Sequence, residues 1–300
     1  MSAKLKSVSD QVIVITGASS GIGLATAEAA AGRGAKLVLA ARSKKALGDI
    51  VGRLARGAEA IAVECDVSDR TQVDRLADSA VGRFGRIDTW VNNAGQGLYG
   101  RLEQVSEADS RRLFDVNFWG VVNGSLAALP HLRKNGGALI NVGSEVSEAY
   151  VPLLGMYTAT KHAVKGFTDA LRVEVEDVDG APVSVTLIQP TAVDTPFPQH
   201  ARNYMDREPK LPSSPIEPAR VAEAILGAAE NPTREKRVGL MAKVNTTMAT
   251  LAPGLADRMA ASQATKMQYD EPPRRPEGTL HQPGEATGVA GRTRGTGGRE

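Results

Sequence analysis

Thr16-Gly17-Ala18-Ser19-Ser20-Gly21-Ile22-Gly23 joins a short apolar run, 12–15, to an alanine-rich stretch, 23–33, whose apolar residues recur at helical spacing. Strand, glycine turn and helix start in that order build an anion site. Gly17 permits the tight turn and Gly21 lets the backbone approach a pyrophosphate. Gly23 lets helix and strand pack closely, and the helix N-terminus offers free N–H groups. Three glycines alone are a weak signal; the flanking elements give them meaning. Outward from the turn, Val-, Ile- and Leu-rich runs return at 36–41, 60–63, 87–91, 138–142 and 183–188, with a last one near 236–241. Between them, 44–56, 71–84, 107–133, 156–176 and about 217–230 carry amphipathic helical patterns. Continuous apolar runs belong to strands buried on both faces. Their regular alternation with helices predicts an α/β fold, a doubly wound Rossmann-type parallel sheet with helices on both faces.

Composition narrows the partners. The 300 residues carry 36 Lys plus Arg and 34 Asp plus Glu, a net charge of +2. That is too small for the phosphate-neutralising surface of a nucleic-acid binder. The one cysteine, Cys65, forms no disulfide within the chain, and no Cys/His spacing suits a metal. No signal sequence or integral membrane span is visible, and the chain is read as cytoplasmic. Residues 1–243 read as one domain, with a proline-rich connection at about 190–218 as a substrate lid. Val244, Met248, Leu251, Leu255 and Met259 mark a helical extension, 244–269, which Pro253 and Gly254 should kink. The stretch 270–300 holds seven Gly, four Pro and only Leu280 and Val289 as large aliphatics, so it is expected to be a disordered tail.

The spacing Gly17-x-x-x-Gly21-x-Gly23 resembles that of the short-chain dehydrogenase/reductase family. The resemblance extends through Asp66, Asn92-Asn93-Ala94-Gly95, Asn117, Ser144 and Tyr157-x-x-x-Lys161, in family order over about residues 8–241. It implies a sheet of seven strands, assembly into a homodimer or homotetramer, and an oxidoreductase that interconverts a carbonyl and an alcohol by hydride transfer. It places cofactor contacts at Gly17, Ser19, Ser20, Gly21, Ile22 and Gly23. Further contacts fall at Arg42, Ser43, Asp66 and Val67, the last two beside the adenine, and at Asn93, Ala94 and Gly95. Tyr157, Lys161, Pro190, Val193 and Thr195 complete the set, with Asn93 also bracing the middle strands. One departure stands out: Pro190-Thr191 replaces the usual Pro-Gly pair.

The second strand ends in Ala41, where an NAD-specific site commonly has an acid for the ribose hydroxyl. Arg42 and Ser43 follow and suit a 2′-phosphate, so NADP is expected over NAD. Reduction of a ketone by hydride leaves an alkoxide that needs a proton and hydrogen bonds. Tyr157 and Lys161 share one helix face, where the ammonium is expected to lower the phenol pKa toward neutrality. Ser144 reaches the same point from a strand end. Asn117 resembles the family's fourth catalytic member, positioning a water that relays protons through Lys161. Chance alone gives a Ser, Tyr and Lys set at this spacing roughly 0.01 times in such a chain. Ser147 is a second nearby hydroxyl, with Ser144 preferred, and His131, His162 and His200 are read as surface or packing residues. Pro152, Leu153, Leu154, Met156 and Phe197 suggest a pocket for a small apolar carbonyl or alcohol. The alternatives are an epimerase or dehydratase relative and a noncatalytic NADP-binding sensor of the same fold.

Overall fold

The computed structural model describes residues 5–54, 57–211, 215–284 and 288–291. Arg56, parts of the expected lid at 212–214 and of the tail at 285–287 and 292–300 lie outside the described residues. The chain runs β1 (Val12–Thr16), α1 (Gly21–Gly32), β2 (Lys36–Ala41), α2 (Lys44–Leu54), β3 (Ala60–Glu64), α3 (Arg70–Phe84) and β4 (Thr89–Asn92). After β5 (Leu98–Tyr99) come α4 (Glu107–Phe114), α5 (Gly120–Asn135), β6 (Gly137–Val142), α6 (Gly155–Arg172) and β7 (Val183–Pro190). It continues through α7 (Phe197–His200), β8 (Arg202–Asn203), α8 (Pro218–Glu230), β9 (Glu235–Val238), α9 (Leu240–Leu251) and α10 (Pro253–Gln263).

Seven strands form one parallel sheet in the order β3-β2-β1-β4-β6-β7-β9. The strand order reverses direction between β1 and β4, and ligands of doubly wound sheets bind in the crevice at that point. Alternate residues of each strand feed two cores. Ile13, Ile15, Leu37 and Leu39 pack with Leu24, Leu47, Ile50 and Ile225 of α1, α2 and α8 on one face. Val14 and Val38 pack with Val73, Leu76, Leu132 and Leu171 of α3, α5 and α6 on the other. Between them, buried amides hold β4 to β6: Asn92 Nδ2 donates to Asn141 Oδ1 at 2.8 Å, and Asn141 Nδ2 donates to Thr168 Oγ1 of α6 at 2.9 Å.

Local departures from the expected elements have identifiable causes. The helix expected at 107–133 is interrupted by a π-turn, Asp115–Trp119. The one expected at 156–176 turns π-helical at Val173–Val178. The C-terminal extension is two helices, broken at Ala252 just before Pro253. It begins at Leu240, and its expected apolar stripe leaves Leu251 and Leu255 exposed. The lid connection contains α7 and a strand, β8, that pairs with β5. Among the described residues, no helix is long and apolar enough to cross a membrane, and no cluster of His, Cys, Asp and Glu could hold a metal.

The 270–300 segment differs most from its expectation. Its described part adds no helix or strand, in keeping with its composition, yet it does not leave the surface. Leu280 is fully buried against Leu98 and Leu113, and Thr279 is buried beside it. A segment too poor in aliphatics to fold alone is held by a cluster and donors that the rest of the chain supplies.

Candidate active site

The glycine turn is locked to the end of β4. Thr16 Oγ1 accepts from the amides of Asn93 and Ala94 at 3.0 and 3.1 Å. The Asn93 side-chain amide donates to the carbonyls of Thr16 and Gly17 at 3.0 and 3.3 Å. Gly17 and Gly21 adopt φ of 66° and 53°, the left-handed region that favours glycine. A Cβ on Gly23 would stand 2.2 Å from the Gly17 carbonyl oxygen, so this glycine lies behind the turn and serves helix packing. No side chain caps α1 at Ser20, so no side-chain group of the turn itself takes up the amides of the helix N-terminus.

Above the turn lies a cleft of about 180 Å³ that is open to solvent. Ser19 to Ile22 of the turn, Arg42, Ser43, Asp66, Val67, Asn93 to Gly95 and Thr195 line it. Ser43 also caps α2, accepting from the Ala46 amide at 3.3 Å. Burial pushes the Asp66 carboxyl upward, but bonds from Ser68 and Arg112 outweigh it and hold the group below the usual carboxylate range. Burial also lowers the Arg42 guanidinium, against the opposing pull of Asp66. A dinucleotide fits this donor set: glycine backbone and a helix N-terminus for the pyrophosphate, with a cation at the end of β2. Cys65, next to Asp66, has its thiol pushed up to about 12 by burial and the nearby carboxylates, which makes it a packing residue.

A second cavity of about 140 Å³ adjoins the cleft across Ile22, Gly95 and Thr195. Ser144, Tyr157 and Lys161 all line it, with Pro190 and Val193 across from them. Ser144 lies just past β6 and caps a short 3-10 turn, Glu145–Ser147, accepting from the Val146 amide at 3.3 Å. The Ser147 hydroxyl accepts from the Ser144 amide at 3.2 Å, so Ser147 positions the backbone and Ser144 faces the cavity. Tyr157 and Lys161 come from the first turns of α6. The Lys161 ammonium donates to the Val142 carbonyl at 2.9 Å and lies 5.7 Å from the Tyr157 ring centroid.

The electrostatics correct one expectation. The Tyr157 phenol is raised above its ordinary value: burial dominates, the Ser144 hydroxyl pulls it down, and the Glu145 carboxylate adds to the rise. Burial also lowers the Lys161 ammonium, to about 8. Asn117, fully buried in the π-turn, uses its side chain on Gln96: Oδ1 accepts from the Gln96 amide at 2.8 Å and Nδ2 donates to the Gln96 carbonyl at 3.0 Å. It also donates to Thr160 at 3.1 Å. A Cβ on Gly95 would meet both Asn117 Oδ1 and Lys161 Nζ, so these groups flank that glycine, and Asn117 lies outside both cavities.

The cavity wall is apolar, with Tyr99, Val151, Leu154, Phe197 and Leu211; Pro152, Leu153 and Met156 do not line it. Leu153 instead holds a left-handed φ of 66°, and its carbonyl accepts from the Gly100 amide at 2.8 Å. The Tyr99 hydroxyl is buried with no hydrogen-bond partner among the described residues. Sequence reasoning missed the buried link at the loop after β7, where Glu145 Oε2 accepts from Thr191 at 3.0 Å and from Asn245 of α9 at 2.9 Å. The unusual Thr191 was the only signal for it. His200 is half-buried and lines the first cleft, its imidazole lowered by desolvation and by Arg275 and Arg42.

Known proteins are similar to this chain in sequence and fold. The family described as short chain dehydrogenase matches residues 11–206. An oxidoreductase of Bacillus subtilis strain 168, YxnA, is 46% identical over 277 residues, covering 91% of this chain and 78% of its own. A Burkholderia phymatum short-chain dehydrogenase/reductase solved with NAD superposes with a TM-score of 0.74 at 30% identity, over 84% of this chain and 96% of that one. An alcohol dehydrogenase from the archaeon Thermococcus sibiricus, solved with 5-hydroxy-NADP, gives 0.67 at 32% identity over 76% and 94%. With its fold, glycine turn and family match in agreement, the chain belongs to the short-chain dehydrogenase/reductase family and is an NAD(P)-dependent oxidoreductase.

Proposed function

We propose that the chain uses NADP to interconvert a small apolar ketone or aldehyde with its alcohol, with Tyr157 as the proton donor and acceptor. The observation that carries this reading is the meeting of Ser144, Tyr157 and Lys161 in one apolar cavity that opens onto the cleft beside the glycine turn. Bound nicotinamide supplies or accepts the hydride. The chain's own groups do the rest. The Ser144 hydroxyl donates to the substrate oxygen and fixes it near Tyr157. The Tyr157 phenol, raised by burial, keeps its proton at neutral pH and gives it to the oxygen as negative charge develops. Lys161 offers a positive charge below about pH 8 that offsets that charge. Asn117 holds the Gln96 backbone, and so the wall of the neighbouring cleft, in place. In the oxidative direction Tyr157 must lose its proton first, so oxidation should climb with pH through the alkaline range.

Arg42 with Ala41 before it supports NADP over NAD, since a guanidinium there favours a 2′-phosphate and no acid repels it. The buried lone thiol Cys65 supports a reducing, cytoplasmic setting, and exposed Leu240, Leu251 and Leu255 on α9 and α10 support a homo-oligomer. The test is Tyr157→Phe, which removes one hydroxyl. NADPH binding should persist, while ketone reduction falls by about 10²-fold or more, as expected when a general acid is lost. Near-normal reduction at saturating NADPH would overturn the assignment.

A further inference from the structure

The C-terminal segment crosses the cleft that the proposed function gives to the cofactor, and it takes the anion-binding donors of that cleft. Both terminal nitrogens of Arg42 donate to tail carbonyls, Nη1 to Leu280 at 3.1 Å and Nη2 to Thr279. The Gly21 amide of the glycine turn donates to the Gly288 carbonyl at 2.9 Å. These are the guanidinium suited to a 2′-phosphate and an N–H of the turn suited to a pyrophosphate. A backbone carbonyl and a phosphate oxygen are alternative acceptors for the same N–H, so they compete for it.

The segment is fitted to its place. Leu280 is fully buried, the Thr279 amide donates to the His200 carbonyl at 2.8 Å, and His281 meets Asp109 at 2.7 Å. Gly278 has a left-handed φ of 55°, and a Cβ there would stand 2.4 Å from the Ala201 carbonyl oxygen. A Cβ on Gly291 would stand 2.5 Å from the carbonyl oxygen of Thr195, a residue that lines the cleft. Gly278 and Gly291, two of the glycines that made the segment look disordered, let its backbone come this close.

We propose that residues 276–284 and 288–291 are an autoinhibitory strap that occupies the adenosine-phosphate and pyrophosphate subsites until NADP displaces it. The proposal rests on the reading of the cleft as an NADP site. Apparent affinity is then lowered by the fraction of chains whose strap is open.

Hydrogen–deuterium exchange on the full chain tests this, with NADPH binding to the full chain and to a chain ending at Arg275 measured by titration. Exchange at the Thr279 amide and in peptides covering 288–291 should rise when NADPH saturates the full chain. Unchanged or slowed exchange overturns the strap, the slowed case showing a roof over bound cofactor. The shortened chain should bind NADPH at least about tenfold more tightly, the factor expected when an open state is populated at ~10% or less. Equal or weaker binding by a folded shortened chain overturns the strap and leaves the NADP reading intact. Binding by neither chain, with the full chain folded, overturns both. Should the shortened chain fail to fold, the exchange result on the full chain decides alone.

Discussion

An ammonium buried against a single backbone carbonyl, as Lys161 is against Val142, costs stability that the fold must offset elsewhere. Its value is lowered to about 8 from 10.5, so between those pH values the unfolded chain binds more protons than the folded one. The destabilisation is therefore fully present below about pH 8 and is relieved as pH rises toward 10.5. Lys161→Met, an apolar chain of similar reach, should stabilise the cofactor-free protein by about 1–3 kcal/mol at pH 7 while abolishing turnover. Urea midpoints at pH 7 and 10 check it: the gain should shrink at the higher pH, and a loss at pH 7 would refute it. The Tyr157, Lys161 and Ser144 set was legible because helical spacing fixes which side chains share a face. The direction of the Tyr157 shift was not, because it is set by the depth of burial, which no spacing records.

At the scale of elements, Thr191 at the end of β7 is joined through Glu145 to Asn245 of α9. Burial raises the Glu145 carboxyl, with the two donors opposing that rise. A raised carboxyl makes the folded chain bind more protons, so this group's contribution to stability falls as pH rises through the window above its ordinary value of 4.5. Thr191→Val keeps the shape and removes one donor. It should cost about 1–3 kcal/mol, and more at neutral than at acid pH, because only the ionised carboxylate needs the donor. Chemical denaturation at the two pH values reads the difference, and an equal cost at both would contradict this role. The strands of the sheet were legible because burial on both faces leaves unbroken apolar runs, as at Val12–Thr16 and Val183–Pro190. The π-turn around Asn117 was not, because one extra residue in a helical turn barely disturbs the apolar period.

For the whole molecule, the contacts that defeat sequence reading are those between the glycine turn near the start and the segment near the end. Arg42 and Leu280 are 238 residues apart, and composition reports only that the tail cannot fold alone. Leu280→Ala should therefore cost about 2–4 kcal/mol, as for other buried leucines, where an unfolded tail would give no change in the denaturation midpoint. Cofactor choice also belongs to this scale, since it joins the end of β2, the cleft and the strap. The central claim is that the cleft holds NADP and directs its hydride to a carbonyl beside Tyr157. It is tested most directly by the ratio of kcat/KM for NADPH and NADH in reduction of the same ketone by the full chain. A charge-assisted contact worth about 1.5–3 kcal/mol at Arg42 predicts a preference for NADPH of roughly 10- to 100-fold, flattened or reversed by Ala41→Asp with Arg42→Ile. Equal efficiency with both cofactors in the unmodified chain would contradict it.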